Sequence, residues 1–222
     1  MSIVIAVDGT AASGKGTLAK KLAQHYGFAH LDSGALYRLT AYSVLAAKGD
    51  PKNQADALRG AQTLDFNLAG DPCIRTDIVG QAASHVAAIP AVRAALFDFQ
   101  RDFVTHPPGG SPGAVMDGRD IGTVICPEAT AKLYIDARPE IRARRRWAEL
   151  KTMGISRDEQ ELLKELNARD AADKARPISP LILAPDAALL DTSDLGIDAA
   201  FAAALQLVDF KIKGALKDRP RG

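Results

Sequence analysis

Nine residues near the start of the chain have the types and spacing of a phosphate-binding loop. The run GTAASGKGT begins at Gly9 and contains GxxxxGK, with lysine at position 15. Glycines let backbone N–H groups converge on phosphate oxygens, and such a lysine reaches the β- and γ-phosphates. An ordinary glycine-rich turn is the alternative interpretation. The pattern predicts a nucleotide site formed by Gly9, Ser13, Gly14, Lys15, Gly16 and Thr17.

The end of this run also bears on how a metal would be held. Many such loops place Ser or Thr directly after the lysine, where its hydroxyl binds Mg²⁺. Here Gly16 follows the lysine and the hydroxyl comes one residue later, at Thr17. We therefore expect Mg²⁺ to be held mainly by phosphates and water. Asp117, which ends an apolar run, is placed to organise the waters of that ion.

Other groups suited to phosphate or base recognition follow further along the chain. The segments LDSGALYR and DGRD each come directly after an apolar run, and the region from 138 to 176 is rich in arginine. Arginine binds phosphate oxygens bidentately and stays charged. A solvated helix with internal salt bridges is the alternative for that region, because acids are interspersed. Arg169, Asp173 and Arg176 would share one helix face, as an ion pair or as a ligand contact.

The elements that position these residues are a repeated alternation of strands and helices. An apolar run at 3–8 precedes the loop, and a helical pattern at 17–24 follows it. Further predicted strands lie at 28–32, 114–117, 132–136 and 187–191. Further predicted helices lie at 35–47, 80–88, 90–104, 139–173 and from 197 onward, and 64–76 alternates like a hairpin. This order predicts an α/β fold with a parallel sheet covered on both faces.

Composition excludes several classes of function. The formal net charge of +1, from 28 basic and 27 acidic residues, gives no general attraction to nucleic acid or to an anionic membrane. No apolar run is long enough to span a bilayer, and the chain starts at once with a strand. Cys73 and Cys126 are isolated, as expected of free thiols in a reducing compartment. We expect a cytoplasmic protein, a monomer, with neither nucleic acid nor membrane as partner.

The motifs together resemble the cytidylate kinases of the bacterial type, members of the nucleoside-monophosphate kinases. GTAASGKGT, LDSGALYR, DGRDIGTVICP and RDAADKARPISPL resemble four motifs of that family in the same order. The resemblance implies a P-loop NTPase core with a five-stranded parallel sheet flanked by helices. It also implies an inserted monophosphate-binding subdomain with a small antiparallel sheet, and a helical lid. One domain, 1–222, would then have its core at 1–40, 105–138 and 177–222, its insertion at 60–104, and its lid and substrate-contacting helix at 139–176.

The resemblance further implies roles for individual residues. Lys15 would bind the ATP phosphates, and Arg38 and Arg119 the acceptor phosphate, with Ser33 and Tyr37 shaping its pocket. Cytosine would be recognised by Ser84, Arg93, Asp120 and Arg176, and the sugar by Arg169 and Asp173. We expect Lys15, Arg119 and the lid arginines Arg142 and Arg145 to be catalytic. The usual loop, GPSGAGKGT, differs at positions 10 to 13, where this chain has Thr, Ala, Ala and Ser.

The predicted reaction is phosphoryl transfer from ATP to CMP or dCMP, with Mg²⁺. It needs no dedicated base, because a phosphate monoester with a second pKa of about 6 is already ionised at neutral pH. Two alternatives stay open: a kinase for another small acceptor such as UMP or AMP, and a nucleotide-binding switch without catalysis.

Overall fold

The computed structural model describes residues 2–217. A five-stranded parallel sheet has the order β2-β3-β1-β4-β5. Its strands are β1 (Ile3–Gly9), β2 (Ala29–Asp32), β3 (Gly113–Gly118), β4 (Ala131–Asp136) and β5 (Ala188–Asp191). The central strand β1 pairs in parallel with both β3 and β4. The predicted α/β class and five-stranded parallel sheet are confirmed.

The described part of the chain contains eight α-helices. They are α1 (Lys15–Tyr26), α2 (Ser33–Ala46), α3 (Gln54–Gln62), α4 (Asp77–Val86), α5 (Pro90–Thr105), α6 (Pro139–Thr152), α7 (Glu159–Lys174) and α8 (Ile197–Lys217). The sequence reasoning missed α3 and joined α6 to α7. The break between those two contains Gly154 at φ 75°, a left-handed conformation that suits glycine. None of the described helices is long and apolar enough to cross a membrane.

The apolar core of the sheet holds the strand and the helix on either side of the phosphate-binding loop. Ile5 and Val7 of β1 are fully buried and belong to one cluster with Leu22 of α1, Leu133 of β4 and Val208 of α8. Burying each such side chain contributes about 1.5–3 kcal/mol. The strand that leads into the loop and the helix that leaves it are thus packed together.

Contacts divide the chain into two compact units. One contains the residues up to Leu31 and those from His106 onward, and the other runs from Asp32 to Thr105. The second unit includes the expected 60–104 insertion and, in addition, α2 and α3. Its helices approach closely at Gly60, where a Cβ would lie 2.8 Å from the carbonyl oxygen of Thr40 on α2. The segment 139–176, expected as a lid, belongs to the same unit as the sheet.

The prediction of a small antiparallel sheet from 64 to 76 is wrong. Phe66–Leu68 and Pro72–Arg75 form short 3₁₀ helices, and the five-stranded sheet is the one sheet among residues 2–217. Each 3₁₀ turn begins at an aspartate whose carboxylate accepts a backbone N–H two residues later: Asp65 from Asn67, and Asp71 from Cys73. These local bonds compete with strand pairing, and Pro72 supplies no N–H for a ladder.

Candidate active site

The phosphate-binding loop leaves β1 at a glycine that no other residue could replace. Gly9 has φ 153°, and a Cβ there would lie 2.0 Å from the carbonyl oxygen of Ile135 on the neighbouring strand. The loop ends at Gly14, with φ 90°, where α1 begins with Lys15. The helix N-terminus, with its unsatisfied N–H groups and partial positive charge, therefore borders the predicted phosphate site.

The middle of the loop, where this chain departs from the usual pattern, is held by side chains. Ala12 occupies the position of the usual glycine and keeps a left-handed φ of 57°. The hydroxyl of Thr10 donates to Asp136 at 2.7 Å, and the hydroxyl of Ser13 donates to the Thr10 carbonyl oxygen at 3.0 Å. Both hydroxyl-bearing residues are buried. The Ser13 hydroxyl is therefore engaged within the loop.

The two expected lid arginines both contact this loop. Arg142 donates to the carbonyl oxygen of Ala11 at 3.1 Å and forms an ion pair with Asp170 at 2.6 Å. Arg145 donates to the backbone and hydroxyl oxygens of Thr192 at 2.6 and 3.0 Å, and to the Ser13 carbonyl oxygen at 3.4 Å. In this structure both guanidinium groups therefore bind main-chain oxygens of, or beside, the loop.

The DGRD motif is joined to the start of the loop by a buried carboxylate. Asp8 accepts the backbone N–H groups of Ile121 at 2.8 Å and Gly122 at 2.7 Å, in the π-helical turn that follows DGRD. Burial raises the pKa of Asp8 to about 7, against the lowering effect of these two hydrogen bonds. Asp120, in the motif itself, is also buried.

Asp117, which was predicted to organise the waters of Mg²⁺, lies beside the loop. A Cβ on Gly16 would be 3.5 Å from its Oδ2, and its Oδ1 lies 2.9 Å from Nε2 of His30 on β2. Oxygen ligands suit Mg²⁺, which usually keeps several waters and binds one or two carboxylates plus substrate phosphates. Among residues 2–217 no group of three or more His, Cys, Asp or Glu is suited to hold a metal ion. One carboxylate next to a phosphate loop fits that mode of binding.

A buried ion cluster gathers three of the predicted acceptor residues. Asp173 on α7 accepts from Nε of Arg119 at 2.8 Å and forms an ion pair with Arg176. Burial alone would raise the pKa of Asp173, but Arg119, Arg176 and Arg169 together lower it to about 2. Arg119 also interacts electrostatically with Asp170 and Asp117. Through Arg119 the cluster therefore interacts electrostatically with Asp170, the partner of Arg142 beside the loop.

The unit from Asp32 to Thr105 brings the remaining predicted residues together. Arg93 lies 5.3 Å from the ring centroid of Tyr37, a cation–π contact, and donates to the carbonyl oxygen of Ala87 at 3.1 Å. Arg38 donates to the carbonyl oxygen of Ile74 at 3.2 Å. A Cβ on Gly80 of α4 would lie 3.4 Å from that guanidinium, and the hydroxyl of Ser84, one turn later, donates to the Gly80 carbonyl oxygen at 3.3 Å. Ser33, at the start of α2, is buried.

Several residues of the site were missed by sequence reasoning. Asp8 is the last residue but one of β1 and Asp136 is the last residue of β4, and an acid at the carboxyl end of a parallel strand is a signal that could have been used. His30, Asp170 and Thr192 carry no comparable signal, because their contacts depend on how distant segments pack.

Comparison with known proteins agrees with the motifs. A sequence model of the family described as "Cytidylate kinase" matches residues 5–209. A cytidylate kinase of Rhodospirillum rubrum is 50% identical over 209 residues, which is 94% of this chain and 98% of that protein. A cytidylate kinase of Bradyrhizobium diazoefficiens is 50% identical over 93% of this chain and 96% of its own length.

Among solved structures, an uncharacterized protein from Eubacterium ventriosum superposes with a TM-score of 0.52 at 15% identity, covering 93% of this chain and 98% of its own. That likeness concerns the fold. The family model and the relatives match nearly the whole chain. These matches show that the chain belongs to the cytidylate kinase family.

Proposed function

We propose that this chain transfers the γ-phosphoryl group of ATP to CMP or dCMP by in-line attack of the acceptor phosphate, without a dedicated general base. ATP-dependent phosphorylation of CMP or dCMP is the activity of the family to which it belongs. The observation that supports the proposed mechanism is the buried cluster of Arg119, Asp173 and Arg176 in the same unit as the phosphate-binding loop. It supplies fixed positive charge for phosphate together with polar groups for a nucleoside.

The donor half of the site is the loop and the N-terminus of α1. Lys15 would bind the β- and γ-phosphates, and the backbone N–H groups of Gly14, Gly16 and Thr17 would surround them. Gly9 and Ser13 shape the loop. Mg²⁺, when bound, would neutralise charge that develops on the phosphate oxygens, and Asp117 is the residue placed to hold its waters.

The acceptor half would use arginines together with neighbouring polar side chains. Arg38 and Arg119 would hold the acceptor phosphate, with Ser33 and Tyr37 shaping its surroundings. The cytosine amine donates and suits Ser or Asp, while its O2 and N3 accept and suit Arg. The base would be recognised by Ser84, Arg93, Asp120 and Arg176, and the sugar by Arg169 and Asp173.

No residue needs to remove a proton in the reaction. The second pKa of a phosphate monoester is about 6, so the attacking oxygen is already ionised at neutral pH. Catalysis then depends on alignment of the two phosphates and on stabilisation of charge by Lys15 and Arg119. Arg142 and Arg145, which donate to carbonyl oxygens of the loop, would assist by shaping it.

The experiment that tests this function is a panel of nucleoside monophosphates incubated with ATP and Mg²⁺, with ADP release as readout. CMP and dCMP should give the highest kcat/KM. Preference for UMP or AMP would favour the alternative kinase, and the absence of any acceptor-dependent ADP release would favour the nucleotide-binding switch.

Base recognition has a separate test in the Arg176→Ala variant. It should lower kcat/KM for CMP more than for UMP, because uracil inverts the donor and acceptor pattern at N3 and C4. Lys174→Ala, an exposed cation two residues away, is the matched control and should leave the ratio unchanged. Equal losses for both nucleotides in Arg176→Ala would argue against base recognition by this residue.

A further inference from the structure

Ala11, in the middle of the phosphate-binding loop, has both of its backbone polar groups bonded to one pair of side chains. Its N–H donates to Oδ1 of Asp170 at 3.4 Å, and its carbonyl oxygen accepts from Arg142 at 3.1 Å. The two side chains are joined to each other at 2.6 Å. Arg142 also donates from Nε to the carbonyl oxygen of Ala137 at 2.8 Å, which fixes its plane. The pair therefore determines the orientation of the Ala11 peptide groups.

The environment of the pair makes this arrangement rigid. Asp170 and Arg142 are 7% and 3% exposed. Moving either charge into solvent would leave the other buried without its counter-charge. Ala11 packs in a small apolar cluster with Ala143 of α6 and Leu166 of α7. The loop is thus bound at its middle by two helices, through a charged pair and through apolar contact.

The helix that carries Asp170 also carries two predicted nucleoside contacts. Arg169 precedes it directly, and Asp173 follows by three residues on α7. Arg119 interacts electrostatically with both Asp173 and Asp170. Asp173 of the buried ion cluster and Asp170, which holds the loop, therefore lie within a single turn of the same helix.

We propose that Asp170 is a positioning residue for ATP: with Arg142 it fixes the loop at Ala11, and through α7 it couples donor binding to acceptor binding. The inference rests on the proposed function, in which the loop binds ATP and α7 contacts CMP. It assigns Asp170 no contact with either substrate.

Loss of the Asp170 contact should displace the loop and weaken ATP binding. The loop N–H groups must converge on phosphate oxygens, and small displacements of a positioned group can reduce rate strongly, on the order of a hundredfold for about 1 Å. Asp170→Asn keeps the side-chain shape but leaves Arg142 without its counter-charge. We expect ATP binding to weaken by about tenfold or more.

The test measures binding rather than turnover. A non-hydrolysable ATP analogue and CMP are titrated calorimetrically into wild type, Asp170→Asn and Glu161→Gln, each alone and in the presence of the other ligand. Glu161→Gln is the matched control, because it makes the same charge change at an exposed position on the same helix. In Asp170→Asn, analogue binding should weaken about tenfold, CMP alone should bind within about threefold of wild type, and the mutual strengthening should fall.

Equal weakening of both ligands, or unchanged analogue binding, would overturn the proposal. If Asp170→Asn fails to fold by circular dichroism, Arg142→Lys takes its place under the same criteria, since lysine cannot bond Asp170, Ala11 and Ala137 together. Failure of the proposed function has a different signature: wild type would then give no CMP-dependent ADP, whatever the analogue titrations show.

Discussion

Protonation or removal of Asp173 should change stability in a direction and amount that its ion pairs determine. The carboxylate is 2% exposed and contacts Arg119 and Arg176. Against the raising effect of burial, the neighbouring arginines lower its pKa from 3.8 to about 2. The folded state therefore holds this carboxylate ionised at pH values where the unfolded chain protonates it.

The size of the effect follows from that pKa difference. At about 1.4 kcal/mol for each pKa unit, Asp173 contributes about 2 kcal/mol to the free energy of unfolding. This contribution is complete above about pH 4 and is lost as the pH falls through about 2. In Asp173→Asn the pH-dependent contribution disappears, and Arg119 and Arg176 lose their buried counter-charge, which costs about 3–5 kcal/mol at neutral pH.

Urea unfolding of wild type and Asp173→Asn at a series of pH values from about 6 to about 2.5 measures this difference. The stability gap should be widest near neutral pH and should narrow as the pH falls below about 4. Asp198→Asn is the control, because Asp198 is 94% exposed in its pair with Lys21 and should change stability by less than about 1 kcal/mol. A gap for Asp173→Asn that stays constant across the series would refute the reasoning.

Three further predictions concern the phosphate-binding loop and the strand before it. Because burial raises the pKa of Asp8 to about 7, the contribution of Asp8 to stability should fall as the pH rises from about 4 to 7, which is opposite to Asp173. Carboxyl ¹³C NMR would show the titration of Asp8. A midpoint near 4 would contradict this prediction. Gly9→Ala should yield no native protein by circular dichroism, whereas Gly16→Ala, whose Cβ meets only ordinary contact at 3.5 Å, should fold and bind ATP more weakly. Lys15→Ala should lower turnover by orders of magnitude while CMP binding stays measurable by calorimetry, and unchanged turnover would remove the role assigned to this lysine.

The parts of the fold that sequence predicted well are those where one physical signal dominates. The apolar run of β1, the glycines after it and the helical pattern of α1 all favour one local structure. The segment from 64 to 76 has competing signals: its alternation favours strands, while Asp65 and Asp71 can bond backbone N–H groups two residues on. Those local bonds prevailed, and 3₁₀ turns formed instead of a hairpin.

Sequence reasoning about the site was limited in a similar way, because residue type did not determine what each side chain contacts. An arginine-rich helix after β4 predicts guanidinium groups near phosphate, and α6 does place Arg142 and Arg145 against the phosphate-binding loop. Carbonyl oxygens and phosphate oxygens accept the same planar donors, so residue type alone cannot distinguish a ligand contact from a loop contact. The distinction depends on Asp170 and Thr192, which lie far away in sequence and reach the loop only through packing.

The unusual middle of the loop is explained by those same contacts. Left-handed backbone at Ala12 costs about 1–2 kcal/mol that a glycine would avoid. In return, Ala12 packs against the apolar cluster around Ala11, and Asp136 fixes the Thr10 hydroxyl. A glycine loop can adopt the phosphate-binding shape because its backbone is permissive, whereas this loop is constrained to its shape by the residues around it. Its competence to bind ATP should therefore depend on α6 and α7 far more than the motif GxxxxGK implies.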